Sequence, residues 1–245
     1  MAAESSDSLP FRIDSRLDPG AFVSAFRGQG RLHVRSILEP GGAEALLHHL
    51  SREVAWSLVL NEGEQVREAT PEMRRGFDPG GEAHLTQLAW AQASRGFQYL
   101  YECKRVPEDA AERRREPTLL HRFVDFLNSD PFIDFARRLT GISDIAWADA
   151  QATRYAPGHF LACHNDESAA GNRRVAYVYN LTPQWQSDWG GQLQFIDADG
   201  HIARAFVPRF NAMNLFAVPQ LHAVSMVAPF APAARYSVTG WLRAK

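Results

Sequence analysis

The chain is poor in cysteine and has no long apolar run. Its two cysteines, Cys103 and Cys163, could pair only once, and no Cys-x-x-Cys occurs, which excludes a disulfide framework and a cysteine zinc site. A reduced, cytoplasmic setting is therefore expected. No segment approaches the roughly 20 apolar residues that a membrane-spanning helix needs. The polar, acidic start of the chain also lacks the basic and apolar parts of a secretion signal.

The chain also has almost no net charge. Lys and Arg number 26 against 28 Asp and Glu, a formal net charge of −2 at pH 7. This balance gives no electrostatic reason to expect nucleic acid or a membrane as partner. The length of 245 residues, 45% of them hydrophobic, is typical of one soluble domain. We expect a flexible tail over residues 1–20 and a single domain over 21–245.

The first part of that domain, about residues 21–143, has mainly helical spacing. Helices are predicted for 43–54, 82–95, 118–127 and 131–139, with short strands at 31–38 and 56–60. Two polar segments, 63–81 and 104–117, are predicted as surface loops. The second is either a solvated charged loop or a mobile lid beside a substrate pocket. Because irregular surface segments often determine specificity, we expect both to select the substrate.

From residue 144 onward the pattern changes to short apolar runs separated by Pro, Gly, Asn and Asp. The runs are 145–155, 175–181, 192–196, 202–207, 212–218, 223–227 and 236–242. Many short strands at near-regular spacing are typical of a sandwich or barrel. The predicted fold is therefore α+β: a jelly-roll barrel (a double-stranded β-helix) over about 144–245, with the N-terminal helices packed on its outside.

A candidate metal site lies in this second part. His164 and Asp166 are two positions apart, so in an extended segment both side chains can point the same way. His222 follows on another predicted strand. Two imidazoles and one carboxylate form the facial triad of non-haem Fe(II) oxygenases, which leaves positions open on the metal. His-x-Asp alone is a weak signal, and it gains weight from the later histidine and from the strand that follows it.

That last strand carries Arg235. Alternation places Arg235, Ser237 and Thr239 on one face. A strand arginine near a chain end is usually solvent-facing or salt-bridged. If this face points into the barrel, however, the guanidinium needs an anionic partner. A carboxylate bound through two hydrogen bonds would satisfy it.

Together these residues carry a family resemblance over a little more than a third of the chain. The region from about Thr153 to Trp241 resembles the prolyl-hydroxylase branch of the 2-oxoglutarate- and Fe(II)-dependent dioxygenases. Within that branch it is most similar to the catalytic domains of ribosomal prolyl hydroxylases and their bacterial relatives. The segments that carry the resemblance are 154–159, 164–166, 173–175, 189–193, 214–216, 222–224 and 235–241. As an ordered set they are specific, whereas any one alone would not be.

The resemblance implies roles for individual residues. His164, Asp166 and His222 match the iron ligands. Arg235 matches the basic residue that binds the distal carboxylate of 2-oxoglutarate, with Ser237 as its helper.

Four further residues are implied less directly. Tyr155 matches a tyrosine that hydrogen-bonds the cosubstrate, and the alternative is an aromatic residue of the barrel wall. Asn180 stands where this branch often has tyrosine, and it could still donate a hydrogen bond to the cosubstrate. Tyr179 and Trp241 are candidates for the substrate pocket, although Trp241 could instead simply pack.

The implied activity is that of a prolyl 4-hydroxylase-like dioxygenase. It would use Fe(II), 2-oxoglutarate and O2, with ascorbate as a reductant, and release succinate and CO2. The preferred substrate is a prolyl residue of a protein or peptide, a preference that rests on the resemblance alone. The alternatives are hydroxylation of a small molecule or free amino acid, a cupin-like metal enzyme without a cosubstrate, and a non-catalytic barrel that binds a metal or ligand.

Overall fold

The computed structural model describes residues 10–63, 65–168 and 170–245. Helices and strands are interspersed over residues 10–143, and strands prevail afterwards. The α-helices are α1 Val23–Gln29, α2 Gly42–Arg52, α3 Pro71–Arg75, α4 Gly81–Ala93, α5 Ala110–Arg115, α6 Leu119–Leu127 and α7 Asp130–Thr140. Short 3-10 helices occur at Pro19–Phe22 and Ser187–Trp189. In the ranges above, no helix is both long and apolar enough to cross a membrane.

The strands form one antiparallel sheet that curls into a nearly closed barrel. They are β1 Arg31–Arg35, β2 Ser57–Glu62, β3 Gln65–Ala69, β4 Tyr99–Arg105, β5 Trp147–Ala148, β6 Gln151–Tyr155, β7 Phe160–His164, β8 Arg173–Asn180, β9 Leu193–Ile196, β10 Ile202–Phe206, β11 Ala212–Ala217, β12 His222–Val224 and β13 Arg235–Arg243. The strand order is β1-β11-β8-β13-β6-β4-β7-β12-β9-β10, with β2, β3 and β5 off this path. The predicted double-stranded β-helix with helices outside it is confirmed.

Helices α6 and α7 show why the helices lie where they do. The Thr118 side chain caps α6 by accepting from the His121 N–H, and Gly141 ends α7 in the left-handed conformation (φ 74°). Each helix buries one apolar stripe, and Phe123 of α6 stacks on Tyr179 of β8 with ring centroids 5.2 Å apart. The main core therefore lies between the helices and the outer face of the barrel.

The predicted loop 63–81 is wrong in its first half. Residues 65–69 form β3, which pairs with β2 in register from Leu58↔Ala69 to Glu62↔Gln65, and α3 follows at once. The side chains of β3 are mostly exposed and polar, so its sequence does not show the apolar alternation of a strand. Strand β3 pairs with β2, and β2 pairs with β4. This backbone pairing, rather than burial of the β3 side chains, holds the β2–β3 hairpin at the barrel.

The charged segment 104–117 is not an irregular loop, and its contacts argue against the mobile-lid alternative. It contains the end of β4 and the helix α5, and Arg113 is buried (4% exposed). The Arg113 guanidinium contacts Asp125 at 2.7 Å and donates to the carbonyls of Pro107 and Glu108. A buried charge with all these partners is costly to displace, which makes opening of the segment unfavourable.

The tail expected over residues 1–20 is too long. Phe11 is 3% exposed, Ile13 bridges to Leu38, and Pro19 begins a 3-10 helix capped by Asp18. Residues 10–20 therefore pack on the domain, whereas residues 1–9 lie outside the described ranges. The extended conformation expected at His164 is present as the end of β7, although Phe160–His164 is too short and too lacking in alternation to stand among the predicted apolar runs.

Candidate metal centre and cosubstrate pocket

Two neighbouring strands and the turn after one of them bring the three predicted metal ligands together. His164 is the last residue of β7 and His222 the first of β12, and the two are paired in the sheet. Asp166 follows β7 with a positive φ of 61°, which turns its carboxylate back towards the histidines. Its oxygens lie 3.3 Å from His164 Nε2 and 3.4 Å from His222 Nε2. Potential ligand atoms of the three residues all lie within 4.8 Å of one another.

Backbone carbonyls fix the orientation of both imidazoles. His164 Nδ1 lies 3.0 Å from the Ala162 carbonyl oxygen, and His222 Nδ1 lies 2.8 Å from that of Gln220. Because a carbonyl oxygen can only accept, each Nδ1 carries the proton and each Nε2 keeps its lone pair. Metal-ligating histidines are usually oriented in this way.

The electrostatics favour the protonation states that a metal requires. Burial raises the pKa of Asp166, but the neighbouring His164 and His222 rings outweigh burial, so the pKa lies below its usual value. Burial, together with neighbouring His164, lowers the pKa of His222 to about 4. At neutral pH the site therefore presents a carboxylate and a neutral His222 imidazole. Two nitrogens and one carboxylate oxygen on one side of the ion fit Fe(II).

At the other end of the pocket lies Arg235, whose side chain is 1% exposed. Its Nη1 donates to the Gly191 carbonyl at 3.0 Å, and its Nε is buried without a partner in the described ranges. None of the described carboxylates forms a salt bridge with it. Burial lowers the pKa of Arg235 to about 10. A buried guanidinium with unused donors fits the carboxylate of a ligand.

A loop before β9 holds Arg235 in place, and sequence reasoning missed it. Trp185 Nε1 donates to the Gly190 carbonyl at 2.8 Å, and the next carbonyl, that of Gly191, receives Arg235. Gly190 has a φ of 66°, and a Cβ there would collide with the Met226 carbonyl oxygen. The segment 189–193 marked the family resemblance, but no local pattern connects Trp185 with an arginine 50 positions later.

The residues expected beside Arg235 are partly placed as predicted. Tyr155 is buried on the pocket wall with its ring centroid 5.2 Å from Arg235 Cζ, and burial raises its pKa. Ser237 lies behind the wall, with its hydroxyl 2.8 Å from that of Thr153. Thr153 itself lines the pocket, so it is the hydroxyl on the surface. Alternation from Tyr155 back to Thr153 was the signal that could have identified it.

Two predicted pocket residues face elsewhere. Asn180 is fully buried, does not line the pocket, and its Nδ2 donates to the carbonyls of Val178 and Ala212. Tyr179 points to the helices, stacks on Phe123 and donates to Asn211. The proposed donor role of Asn180 and the pocket role of Tyr179 are therefore wrong. Alternation along β8 places Val178, not Tyr179, in the pocket.

Trp241 does line the pocket, as predicted. Arg173 stacks on its ring, with Cζ 3.6 Å from the ring centroid, and donates through Nη1 to the Asp166 carbonyl at 2.9 Å. The Trp241 Nε1 is buried without a partner among the described residues. The Trp241 indole nevertheless lies near Asp166 and helps to lower the pKa of that carboxyl, and Arg173 holds the turn that carries Asp166.

The triad and Arg235 share one cavity of about 510 Å³. Its walls carry aromatic side chains on β4, Tyr99 and Tyr101, and the exposed Phe97 just before that strand. Both segments that were expected to select the substrate reach it, through Val66 of β3 and through residues 105, 106 and 108. The volume of the cavity is within the range of ligand-binding sites and is larger than a five-carbon dicarboxylate requires.

Comparison with known proteins agrees with this geometry. Residues 150–243 match the family model of the 2OG-Fe(II) oxygenase superfamily. Prolyl 3-hydroxylase OGFOD1 of Mus musculus is 31% identical over 143 residues, 54% of this chain and 25% of that protein. The Xenopus laevis protein of the same name is 30% identical over 149 residues, 58% of this chain and 28% of its own length. The chain thus spans about a quarter of these curated relatives.

Solved structures show the same fold. A prolyl 4-hydroxylase of Pseudomonas putida superposes with a TM-score of 0.60 at 17% identity, covering 93% of this chain and all of that chain. A prolyl hydroxylase of Trichoplax adhaerens, in complex with a peptide fragment of hypoxia inducible factor, gives 0.59 at 16% identity. It covers 92% of this chain and 89% of its own. The predicted resemblance to the prolyl-hydroxylase branch is confirmed.

Proposed function

We propose that the chain, whose residues 150–243 match the family model of the 2OG-Fe(II) oxygenase superfamily, is an Fe(II)- and 2-oxoglutarate-dependent dioxygenase. Its preferred substrate is a prolyl residue of a protein or peptide. The observation that carries this proposal is the pairing of the triad with an uncompensated Arg235 in one cavity. A site for a metal alone would have no use for a buried guanidinium without a counter-charge.

Some residues of the cavity would bind the metal or the cosubstrate, and others would position them. His164, Asp166 and His222 would hold the metal, and Arg235 would bind the distal carboxylate of 2-oxoglutarate through its free donors. With both bound, iron of this type couples the decarboxylation of 2-oxoglutarate by O2, which yields succinate and CO2, to hydroxylation of an unactivated C–H bond. Thr153 and Tyr155 form the wall between the two ends. No general base is required of the protein.

The substrate would occupy the part of the cavity that leads outward past β4. Phe97 lies next to His164, with ring centroids 5.6 Å apart, and Tyr99 and Tyr101 continue the aromatic wall inward. Apolar rings suit the uncharged pyrrolidine of a prolyl residue. The mouth is open to the surface, since Phe97 is 50% exposed, and this supports a peptide rather than an enclosed metabolite. Ascorbate as reductant and a cytoplasmic location belong to the same proposal.

The test is turnover with defined substrates. The protein, supplied with Fe(II), ascorbate and 2-oxoglutarate, is incubated with proline-containing peptides and, separately, with free proline. We expect succinate release coupled to a mass gain of one oxygen on the peptides, and Asp166→Ala as negative control. Coupled turnover of free proline alone would refute the peptide substrate, and a lack of any 2-oxoglutarate-dependent binding at the metal would refute the enzyme class.

A further inference from the structure

Among the residues that the structure describes, the strand order leaves one unpaired edge at each end of the sheet, on β1 and on β10. The rings of His33 on β1 and Phe206 on β10 nevertheless lie 5.4 Å apart. The two edges thus meet through side chains, and no backbone ladder joins them within the described chain. We call this line between β1 and β10 the seam. Sheet edges of this kind can accept a further strand.

Arginines surround the seam. Arg31 and Arg35 share one face of β1 with His33, Arg204 lies on β10, and Arg209 follows in the turn after it. His33 lies within their field. Burial is the main cause that lowers the pKa of His33, and the charges of Arg209, Arg35 and Arg204 lower it further. Three guanidinium groups thus surround one ring, and Arg31 lies on the same face of β1, so the four arginines form one positively charged surface.

Within the described ranges, none of these four arginines forms a salt bridge. Elsewhere the pattern differs: Arg74, Arg113 and Arg154 each lie within 3 Å of a carboxylate oxygen. Isolated surface charges need no partner, but a cluster of like charges at an open sheet edge is unfavourable without one. The missing counter-charge is what a ligand could supply.

The polar groups beneath the seam point to the same kind of ligand. His33 Nδ1 lies 2.6 Å from Asn214 Oδ1, which fixes the ring with Nδ1 as donor and leaves Nε2 as an acceptor. Asn214 is 1% exposed, and its Nδ2 has no partner among the described residues. This buried amide adds a partial positive charge under the arginines. The seam thus offers cations, a buried amide donor and one acceptor for an N–H group.

We propose that the seam binds an extended acidic segment of a partner protein, laid along the free edge of β1. In a strand every second side chain shares a face, about 6.6 Å apart. Arg31, His33 and Arg35 have this spacing, so carboxylates at alternate positions of a bound strand would face the two arginines. Main-chain hydrogen bonds to the free edge would give affinity, and the charges would give register.

The observations favour a peptide over single-stranded RNA. RNA-binding surfaces without base pairing usually offer exposed aromatic rings for stacking. Here Phe195 and Phe216 are buried, and Phe206 is half-buried with the Arg204 guanidinium 5.7 Å from its ring centroid.

The seam lies behind the metal centre rather than at the mouth of the cavity. Phe216, with its ring centroid 4.5 Å from that of His222, and Phe195, which pairs with His222 in the sheet, lie between the triad and the seam. None of the four arginines lines the cavity. A partner at the seam would therefore leave the entrance open, and its binding can be tested independently of the proposed hydroxylase activity.

The experiment measures fluorescence anisotropy of a labelled peptide against the full chain. The peptide has glutamate at alternate positions between valines, and a second peptide of the same composition has its glutamates in one block. The seam variant is the double substitution R35Q/R204Q, which removes two exposed charges. The matched control is R52Q/R138Q, which removes two exposed charges without salt bridges on α2 and α7. A ten-nucleotide oligouridylate is the RNA probe.

We expect saturable binding of the alternating peptide that weakens by about tenfold in R35Q/R204Q and by less than about twofold in the control. The block peptide should bind more weakly, and added salt should weaken binding. Turnover of 2-oxoglutarate should be the same in both variants and the wild type. Lack of binding by the wild type, equal loss in both variants, or no preference between the peptides would overturn the proposal. Tighter binding of oligouridylate, lost in R35Q/R204Q, would overturn the choice of a peptide.

Discussion

The two ends of the cavity solve the problem of buried charge in opposite ways. At the metal end, the Asp166 carboxylate lies between two imidazoles, and both imidazoles donate to backbone carbonyls. At the other end, Arg235 has a single carbonyl partner and no carboxylate among the described residues. Without a ligand the first end carries the negative charge of Asp166, which a cation would balance, whereas the second end carries the positive charge of Arg235, which an anion would balance.

This difference separates stability from function. The two charges are buried to different extents: the Asp166 side chain is 11% exposed and lies beside two imidazoles, whereas Arg235 is 1% exposed. Removing Arg235 removes function but relieves the protein of a fully buried charge. Sites that bind ligands are often less stable than they could be, and we expect the larger gain in stability at the Arg235 end.

The largest effect is expected for Asp166→Ala. Loss of the only carboxylate ligand should weaken metal binding by more than about a hundredfold and abolish turnover, because two imidazoles alone do not hold a divalent ion firmly. Metal titration followed by calorimetry measures this. His201→Ala, at an exposed turn, is the control and should behave as the wild type. Unchanged metal affinity in Asp166→Ala would show that the ion, if any, binds elsewhere.

Arg235→Met should produce the opposite pair of effects. Affinity for 2-oxoglutarate should fall by roughly a hundredfold, because one partner of a buried ion pair is lost. The ligand-free protein should be unchanged or up to about 3 kcal/mol more stable, because a hydrophobic side chain replaces an unpaired buried charge. Metal affinity should not change.

A partly buried arginine (32% exposed) that has its counter-charge provides the control. Arg154 contacts the buried carboxylate of Glu102 at 2.6 Å. Arg154→Met should destabilise the protein by about 1–3 kcal/mol and leave 2-oxoglutarate binding intact. Thermal denaturation gives the stability of each variant, and titration with 2-oxoglutarate gives its affinity for the cosubstrate. If Arg235→Met is as destabilising as Arg154→Met, the guanidinium is not uncompensated and the comparison between the two ends fails.

The sequence predicted the parts of the site that depend on local pattern. His164 and Asp166 share a face because they are two positions apart, and His222 and Arg235 lie on strands with clear boundaries. Strand β8 was harder, because every residue from Val175 to Asn180 is buried. With both faces covered, no polar alternation distinguishes pocket from helix side, and Tyr179 was therefore assigned to the wrong face.

Contacts between segments that are distant in the sequence could not be predicted either. Trp185 and Gly191 support Arg235 from 50 and 44 positions away, and their spacing contains no period that a sequence pattern could reveal. The polar strand β3 is similar, because only its pairing with β2 makes it a strand. The barrel with its outer helices could be predicted because apolar periodicity is a local property.

A buried histidine outside the site gives a pH-dependent prediction. Burial lowers the pKa of His159 to about 4, and its Nδ1 accepts from the Ala156 N–H. The unfolded chain has an ordinary histidine pKa near 6.5, so between pH 6.5 and 4 it binds a proton that the folded state does not. Stability is therefore lost as the pH falls through this window, by up to roughly 3 kcal/mol from this residue.

His159→Asn removes the titrating group and keeps an acceptor for the Ala156 N–H. Urea denaturation at pH 7 and pH 4.5 should show a smaller loss of stability on acidification than in the wild type. Metal and cosubstrate affinity at pH 7 should be the same in both proteins. An equal loss on acidification would mean that folded His159 takes up a proton as readily as an unfolded histidine. Burial would then destabilise charged side chains only at the two ends of the cavity.

The smallest effect concerns the loop that holds Arg235. Trp185→Phe keeps the ring but removes the hydrogen bond to the Gly190 carbonyl, which is worth about 1 kcal/mol. Because the Gly191 carbonyl then holds Arg235 less firmly, we expect the KM for 2-oxoglutarate to rise by about fivefold while kcat and metal affinity stay the same. Trp189→Phe is the control, since its indole forms no such bond to this loop within the described chain. A change in kcat with an unchanged KM would mean that the loop acts on the metal end, and the two ends would then not be independent.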